Sequence, residues 1–146
     1  MSHSRDAPVS ESVQMYLKEI YLLSRDGEYA KTGELAERLE VSPPSVTEMF
    51  GRLRDDGLLE YEKRRGAVLT EAGQQRAERL LRKHCRIERF LVTCLDVDEG
   101  FHEEACRLEH VMSDNVADRL DRYVDLEDEC PDCYDPEHQH CSKLDV

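Results

Sequence analysis

The sequence contains no tryptophan and only three phenylalanines, and aromatic residues make up 6 % of its 146 positions. A core built from it must therefore rest on aliphatic side chains. It has no apolar run long enough to span a bilayer, and its start, Met1-Ser2-His3-Ser4-Arg5-Asp6, lacks the apolar centre of a signal peptide. The reading is a cytoplasmic protein without a membrane partner. Positive charge is also scarce. Twenty Lys and Arg stand against 33 Asp and Glu, for a formal net charge of −13. That deficit argues against nucleic-acid binding, which draws much of its affinity from basic side chains that neutralise phosphates. The alternative is a cell interior salty enough to screen long-range repulsion, where dense surface acid maintains solubility. Acidic residues are spread along the whole chain, which suits the second explanation.

Six cysteines are present, at positions 85, 94, 106, 130, 133 and 141. Without a secretion signal they read as thiols or metal ligands rather than disulfides.

Apolar residues Val13, Leu17, Ile20 and Tyr21 fall at helical spacing between Glu11 and Ser24, and Asp26-Gly27 breaks the pattern. Leu35, Ala36 and Leu39 mark a short second helix, with Thr32 as the expected N-cap. Ser42 and the prolines after it open a third, whose buried face is Val46, Met49, Phe50 and Leu53 and whose end is Asp56-Gly57. Two short apolar runs, Leu58–Glu62 and Ala67–Thr70, flank the basic tip Lys63-Arg64-Arg65-Gly66 and predict a hairpin. Three helices and a hairpin make a winged helix-turn-helix, which lays its third helix in the major groove.

A long helix capped by Thr70 is expected to run to about Thr93, a second from Val97 to Met112, and a third, capped by Ser113, from Asp114 to about Val124. The fold class is mainly α, a winged helix-turn-helix at 1–72 followed by a helical dimerisation domain at 73–124. An acidic, Cys/His-rich tail occupies 125–146. Helices after such a module commonly form the pairing surface that matches a symmetric DNA site.

Cys106, Glu109 and His110 stand at i, i+3 and i+4, so a helix puts thiol, carboxylate and imidazole on one face, where they can hold a divalent metal. The alternative is a buried Cys beside solvated Glu and His. His84 and Glu88 form a second i, i+4 pair, with an exposed polar pair as the alternative. His102 lies one turn before Cys106 and can belong to either set.

Arg82-Lys83-His84-Cys85-Arg86-Ile87-Glu88-Arg89 and the run from His102 to Asp114, with its Glu-Ala-Cys-Arg-Leu-Glu-His-Val-Met-Ser-Asp core, closely resemble the diphtheria toxin repressor family. Met15-Tyr16-Leu17-Lys18-Glu19-Ile20-Tyr21 and the helix-turn-helix match it in order and spacing, so the resemblance covers roughly residues 11 to 124. It implies a metal-dependent repressor that binds double-stranded DNA as a homodimer, with no catalysis and no small-molecule substrate. It implies a regulatory metal site of Met15, Cys106, Glu109 and His110, and an ancillary site of His84, Glu88 and His102. Thioether and thiolate donors favour Fe(II) over Mn(II), although other divalent transition metals suit the same donors. Manganese-selective relatives carry carboxylates at the positions of Met15 and Lys18, and a protonated lysine cannot ligate. For DNA reading the resemblance points to Ser42, Pro44, Ser45 and Thr47. Arg52, Arg54, Lys63, Arg64 and Arg65 are candidate phosphate anchors, each with ordinary solvated surface as its alternative. Glu48, where a close relative has glutamine, either accepts from cytosine or is exposed acid.

Many members of this family continue into a barrel-like third domain, for which this sequence is too short. Its tail carries instead Cys130, Cys133, His138, His140 and Cys141, ligand types for a compact Zn(II) site or for completing the ancillary one. A flexible acidic tail is the alternative. Two other functions compete: a thiol redox regulator switching through Cys130 and Cys133, and a metalloenzyme, for which the sequence offers no separate general base with a substrate cleft.

Overall fold

The computed structural model describes residues 11–24 and 26–124, with the backbone of 134–135 and 140–141. The chain divides into two compact units, Met1–Ala77 and Glu78–Val146, and the division falls inside one long helix.

In the first unit, α1 (Glu11–Ser24), α2 (Thr32–Leu39) and α3 (Pro43–Asp55) precede an antiparallel hairpin of β1 (Leu59–Glu62) and β2 (Gly66–Leu69). The hairpin pairs Leu59 with Leu69 and Tyr61 with Ala67, and Ala30 adds a bridge to Ala67. Leu17, Ile20, Leu35, Val46 and Leu53 are fully buried. Each such aliphatic contributes roughly 1.5–3 kcal/mol through burial, which is how a core without tryptophan holds. Ser42 caps α3, its Oγ accepting from Ser45 N at 3.3 Å. Thr32 does not cap α2 as expected. It is the first helical residue, and Lys31 stands at the N-cap without a side-chain bond, so the backbone bond from Leu35 N to Lys31 O sets the start.

The long helix α4 (Glu71–Thr93) is capped by Thr70, whose Oγ accepts from Gly73 N at 3.2 Å and donates to Gly57 O at 2.7 Å. In the second unit, α5 (Phe101–Val111), α6 (Asp114–Arg119) and a 3-10 turn, Leu120–Arg122, follow. Cys85, Ile87, Leu91, Phe101 and Ala105 form the apolar core, flanked by Val92, Val97, Leu108, Met112 and Leu120. Cys85 is therefore a small hydrophobe and not a ligand candidate.

The helix expected from Val97 begins four residues later. Asp96 and Gly100 adopt left-handed backbone, with φ of 57° and 72°, while Val97 bonds Leu91 O and packs on the core as loop. The next helix also ends early, at Arg119, and tightens into the 3-10 turn. Lys83, though buried, donates to the Met112 carbonyl and lies 3.4 Å from Asp114 Oδ1. Arg86 forks onto Asp121 at 2.7 and 3.3 Å and reaches Asp118 at 3.2 Å. These cations secure the end of α5 and α6 to α4. Tyr134–Asp135 and His140–Cys141 pair as a short hairpin, Tyr134 opposite Cys141.

Gly73 gives a test of this packing. Replacing a helical glycine with alanine usually gains about 1 kcal/mol. A Cβ here would lie 2.1 Å from the Leu58 carbonyl oxygen, so backbone must move. Gly73→Ala is expected to lower stability by about 1–3 kcal/mol in thermal or denaturant unfolding; a raised melting temperature would contradict the packing.

Candidate metal centre and nucleic-acid interface

On α5 the buried stripe is Phe101, Ala105 and Glu109, spaced i, i+4 and i+8. The third position of an apolar stripe thus carries a carboxylate, fully buried, and it needs a partner. That partner is His84 on α4, whose Nδ1 contacts Glu109 Oε1. Glu88, one turn further along α4, brings Oε2 to 2.9 Å from His84 Nε2 and to 3.3 Å from His102 Nδ1. His102 Nε2 lies 3.6 Å from Cys106 Sγ, and its ring meets that of His84 edge-on with centroids 5.2 Å apart. His84, Glu88 and Glu109 are sealed from solvent, while His102 and Cys106 are partly open to it.

The electrostatics follow from this crowding. Burial is the largest influence on His84 and pulls its pKa down, but contacts with Cys106, Glu109 and Glu88 together outweigh it and hold the imidazole well above its ordinary value. His102 shows the same balance. Burial lowers it, contacts with Cys106 and Glu88 raise it, the charge on His84 opposes them, and the result is about 9. Protons on the two imidazoles therefore balance the carboxylates. Nitrogen, sulfur and carboxylate donors on one spot also fit a divalent transition metal, which would replace those protons.

The two ligand sets expected from sequence are not segregated. Cys106 and Glu109 of the first join His84, Glu88 and His102 of the second in one network, and ligand atoms of His84, His102 and Cys106 all lie within 4.8 Å of one another. His110, one turn past Cys106 on α5 and partly buried, is outside that group of three. Met15 is 42 % exposed on α1 in the first unit, not core as its helical context alone would suggest. Lys18 is buried on the same helix. Cys130, Cys133 and His138 lie outside the described residues. His140 and Cys141 are described only as backbone of the short hairpin.

Ser42, Pro44, Ser45, Thr47 and Glu48 are all exposed at the start of α3. Ser42 and Ser45 share a hydroxyl contact of 2.9 Å, and Thr47 Oγ1 donates to Pro43 O at 3.2 Å. Arg52 and Arg54 are exposed later on α3, and Lys63, Arg64 and Arg65 form the hairpin tip. Arg65 lies 3.5 Å from Glu62 and over the Tyr29 ring at 5.6 Å, whereas Arg64 takes left-handed backbone at φ 79°. Tyr29 carried no sequence signal for this role, because the pairing of Ala30 with Ala67 is what brings it to the wing.

Two family models match, one described as the N-terminal DNA-binding domain of iron-dependent repressors over residues 8–67, the other as their metal-binding and dimerisation domain over 70–135. The chain is 40 % identical over 119 residues to an uncharacterised HTH-type transcriptional regulator of Methanocaldococcus jannaschii, a match covering 80 % of this chain and 95 % of that one. It is 39 % identical over 116 residues to the diphtheria toxin repressor of Corynebacterium glutamicum, covering 79 % of this chain but only 51 % of the relative. The chain thus spans about half the length of that repressor. A crystal structure of ScaR with bound Zn2+ superposes with a TM-score of 0.71 at 41 % identity, covering 82 % of this chain and 56 % of the other. With both halves matched in order, the chain belongs to the iron-dependent repressor family of metal-dependent transcriptional regulators, which are DNA-binding proteins and not enzymes.

Proposed function

We propose that this protein is an Fe(II)-activated repressor of metal-uptake genes that binds palindromic operator DNA as a homodimer in the cytoplasm. The observation that carries the reading is the cluster of two imidazoles, two carboxylates and a thiol on α4 and α5, buried at His84, Glu88 and Glu109, within the region matched to a metal-binding and dimerisation domain. A bound divalent metal would supply coordination bonds and charge, and no reaction.

The chain's own residues do the rest. Cys106, Glu109 and His110 lie on α5, and Met15 lies on α1 in the other compact unit. Ligation by all four ties the DNA-reading unit to the pairing unit. Dimer partners so tied present their α3 helices at a fixed separation, and the metal-loaded state is selected by DNA. His84, Glu88 and His102 hold an ancillary ion in the same cluster. Soft thiolate and thioether donors favour Fe(II), and Mn(II) binds the same positions less well. At the operator, Ser42, Ser45 and Thr47 reach phosphates and base edges from the start of α3, and Pro44 offers its ring to a thymine methyl. Arg52, Arg64 and Arg65 anchor the backbone, and Glu48 accepts from cytosine.

The test is binding to a palindromic duplex, selected from random sequences, with Fe(II) under anaerobic, high-salt conditions. Cys106→Ala and His110→Ala are each expected to lose iron-dependent binding by at least about tenfold. Binding that persists in chelator and in both variants would overturn metal control.

Protons compete for the same nitrogens, which fixes the pH dependence. His102 is raised to about 9, so its contribution to the metal-free fold is present below about 6.5 and is lost as pH rises through about 9, and the raised His84 acts in the same sense. In chelator, the melting temperature should fall across that window. Metal uptake should strengthen across it and release protons, seen as a buffer-dependent enthalpy in calorimetry. A metal affinity flat between those limits would contradict the assignment.

A further inference from the structure

We propose that the cleft between α3 and β1 seats the sugar-phosphate backbone of one operator strand, with Tyr61 and Phe50 under a deoxyribose and Arg54 on its phosphate. This rests on the DNA-binding reading of the first unit and adds Tyr61, Phe50 and Gly51 to the residues that meet the duplex.

The cleft holds about 150 Å³ and is lined by Thr47, Phe50, Gly51, Arg54 and Tyr61. All five lie in the region matched to a DNA-binding domain. Thr47, Gly51 and Arg54 stand at i, i+4 and i+7 on α3, so they form one stripe that starts among the exposed residues at the head of that helix. Tyr61 comes from β1, where Leu59 on the same face of the strand is buried and Glu60 and Glu62 alternate to the other face. Its ring packs on that of Phe50, with centroids 5.8 Å apart and planes at 45°. Phe50 is buried, but Tyr61 remains 41 % exposed and offers an aromatic surface to whatever enters.

Gly51 shows that the space is kept open. A glycine inside a helix is less favourable than alanine, so its place there needs a reason. A Cβ at Gly51 would meet nothing within 4 Å, so no neighbour in the chain demands its absence. What a methyl group would narrow is the cleft, and close approach of a ligand to backbone is a common use of such a glycine. Charge indicates the ligand. Arg54 carries the only charge among the described residues that line the cleft. It faces Asp55 at 3.9 Å, an exposed pair that contributes little, and a phosphate can replace it with shorter bidentate bonds. Deoxyribose has no 2′-hydroxyl and so suits the rings beneath it. Backbone seated beside the start of α3 would fix the register in which that helix meets the bases.

The test measures binding of the Fe(II)-loaded full chain to the selected palindromic duplex and to a scrambled duplex, anaerobically and over a salt series. Gly51→Ala and Tyr61→Ala are each expected to bind both duplexes about tenfold more weakly, the scale of one lost contact. Gly51→Ala should nonetheless melt at or above the wild-type temperature, because alanine is the better helix former. Tyr61→Phe should restore wild-type affinity, since the ring and not the hydroxyl makes the contact. Arg54→Gln should flatten the slope of log K against log salt by about 0.9, the loss of one phosphate contact. Wild-type affinity in Gly51→Ala, or an unchanged salt slope in Arg54→Gln, would overturn the proposal. Losses confined to the selected duplex would do so too, by making the cleft a reader of bases. Variants that bind DNA normally but change the mass of the protein in sedimentation would make the cleft a contact between copies, and would also overturn it. Binding that ignores Fe(II), with the variant losses intact, would support the seat and remove metal control. A wild-type protein that binds neither duplex would overturn both.

Discussion

His84 sits without solvent contact between two carboxylates, Glu109 from α5 and Glu88 from its own helix. Removing three ionisable groups from water costs several kcal/mol for each ion unless partners and protons compensate. The second unit accepts that cost on the face where its two longest helices meet. Its apolar cluster around Ile87, Leu91 and Phe101 supplies the packing, and Lys83 and Arg86 fasten the following segment to α4. The polar cluster sets which way Glu109, His102 and Cys106 face. Replacing these groups with apolar residues would be the cheaper way to fill the space, so their presence is explained by a ligand more readily than by stability.

Much of this was legible in sequence because period and chemistry agreed. The buried faces of α1 and α3, the capping by Ser42, Thr70 and Ser113, and the basic-tipped hairpin all follow local rules, and the structure has them. The one-face placement of Cys106, Glu109 and His110 followed from helical spacing. Spacing could not show that Glu109 reaches across 25 residues to His84, since that contact depends on how two helices pack. A clue was nonetheless present: Glu109 continues the Phe101, Ala105 stripe, where a carboxylate is out of place. The late start of α5 was hidden for the opposite reason. Val97 fits the apolar period, but the left-handed turns at Asp96 and Gly100 spend it as loop packing.

The acidic balance of the chain is not uniform over its surface. Along α3 and the hairpin tip, Arg52, Arg54, Lys63, Arg64 and Arg65 are exposed on the same unit as the small polar residues that open α3. A helix N-terminus lined by Ser42, Ser45 and Thr47 adds backbone dipole and hydroxyl donors that suit phosphate. Local basic positions on an acidic body are compatible with duplex binding where salt screens the remaining repulsion.

Reciprocity between metal and DNA tests the central claim most directly. If the α4/α5 cluster controls operator binding, the factor by which Fe(II) tightens DNA binding must equal the factor by which operator DNA tightens Fe(II) binding, on the order of 5–150-fold. The measurement is the Fe(II) affinity of the anaerobic protein, with and without a saturating palindromic duplex. A matched increase in both affinities is the predicted result. An iron affinity unmoved by operator DNA would show that the cluster and the reading helix are uncoupled, and the account would fail.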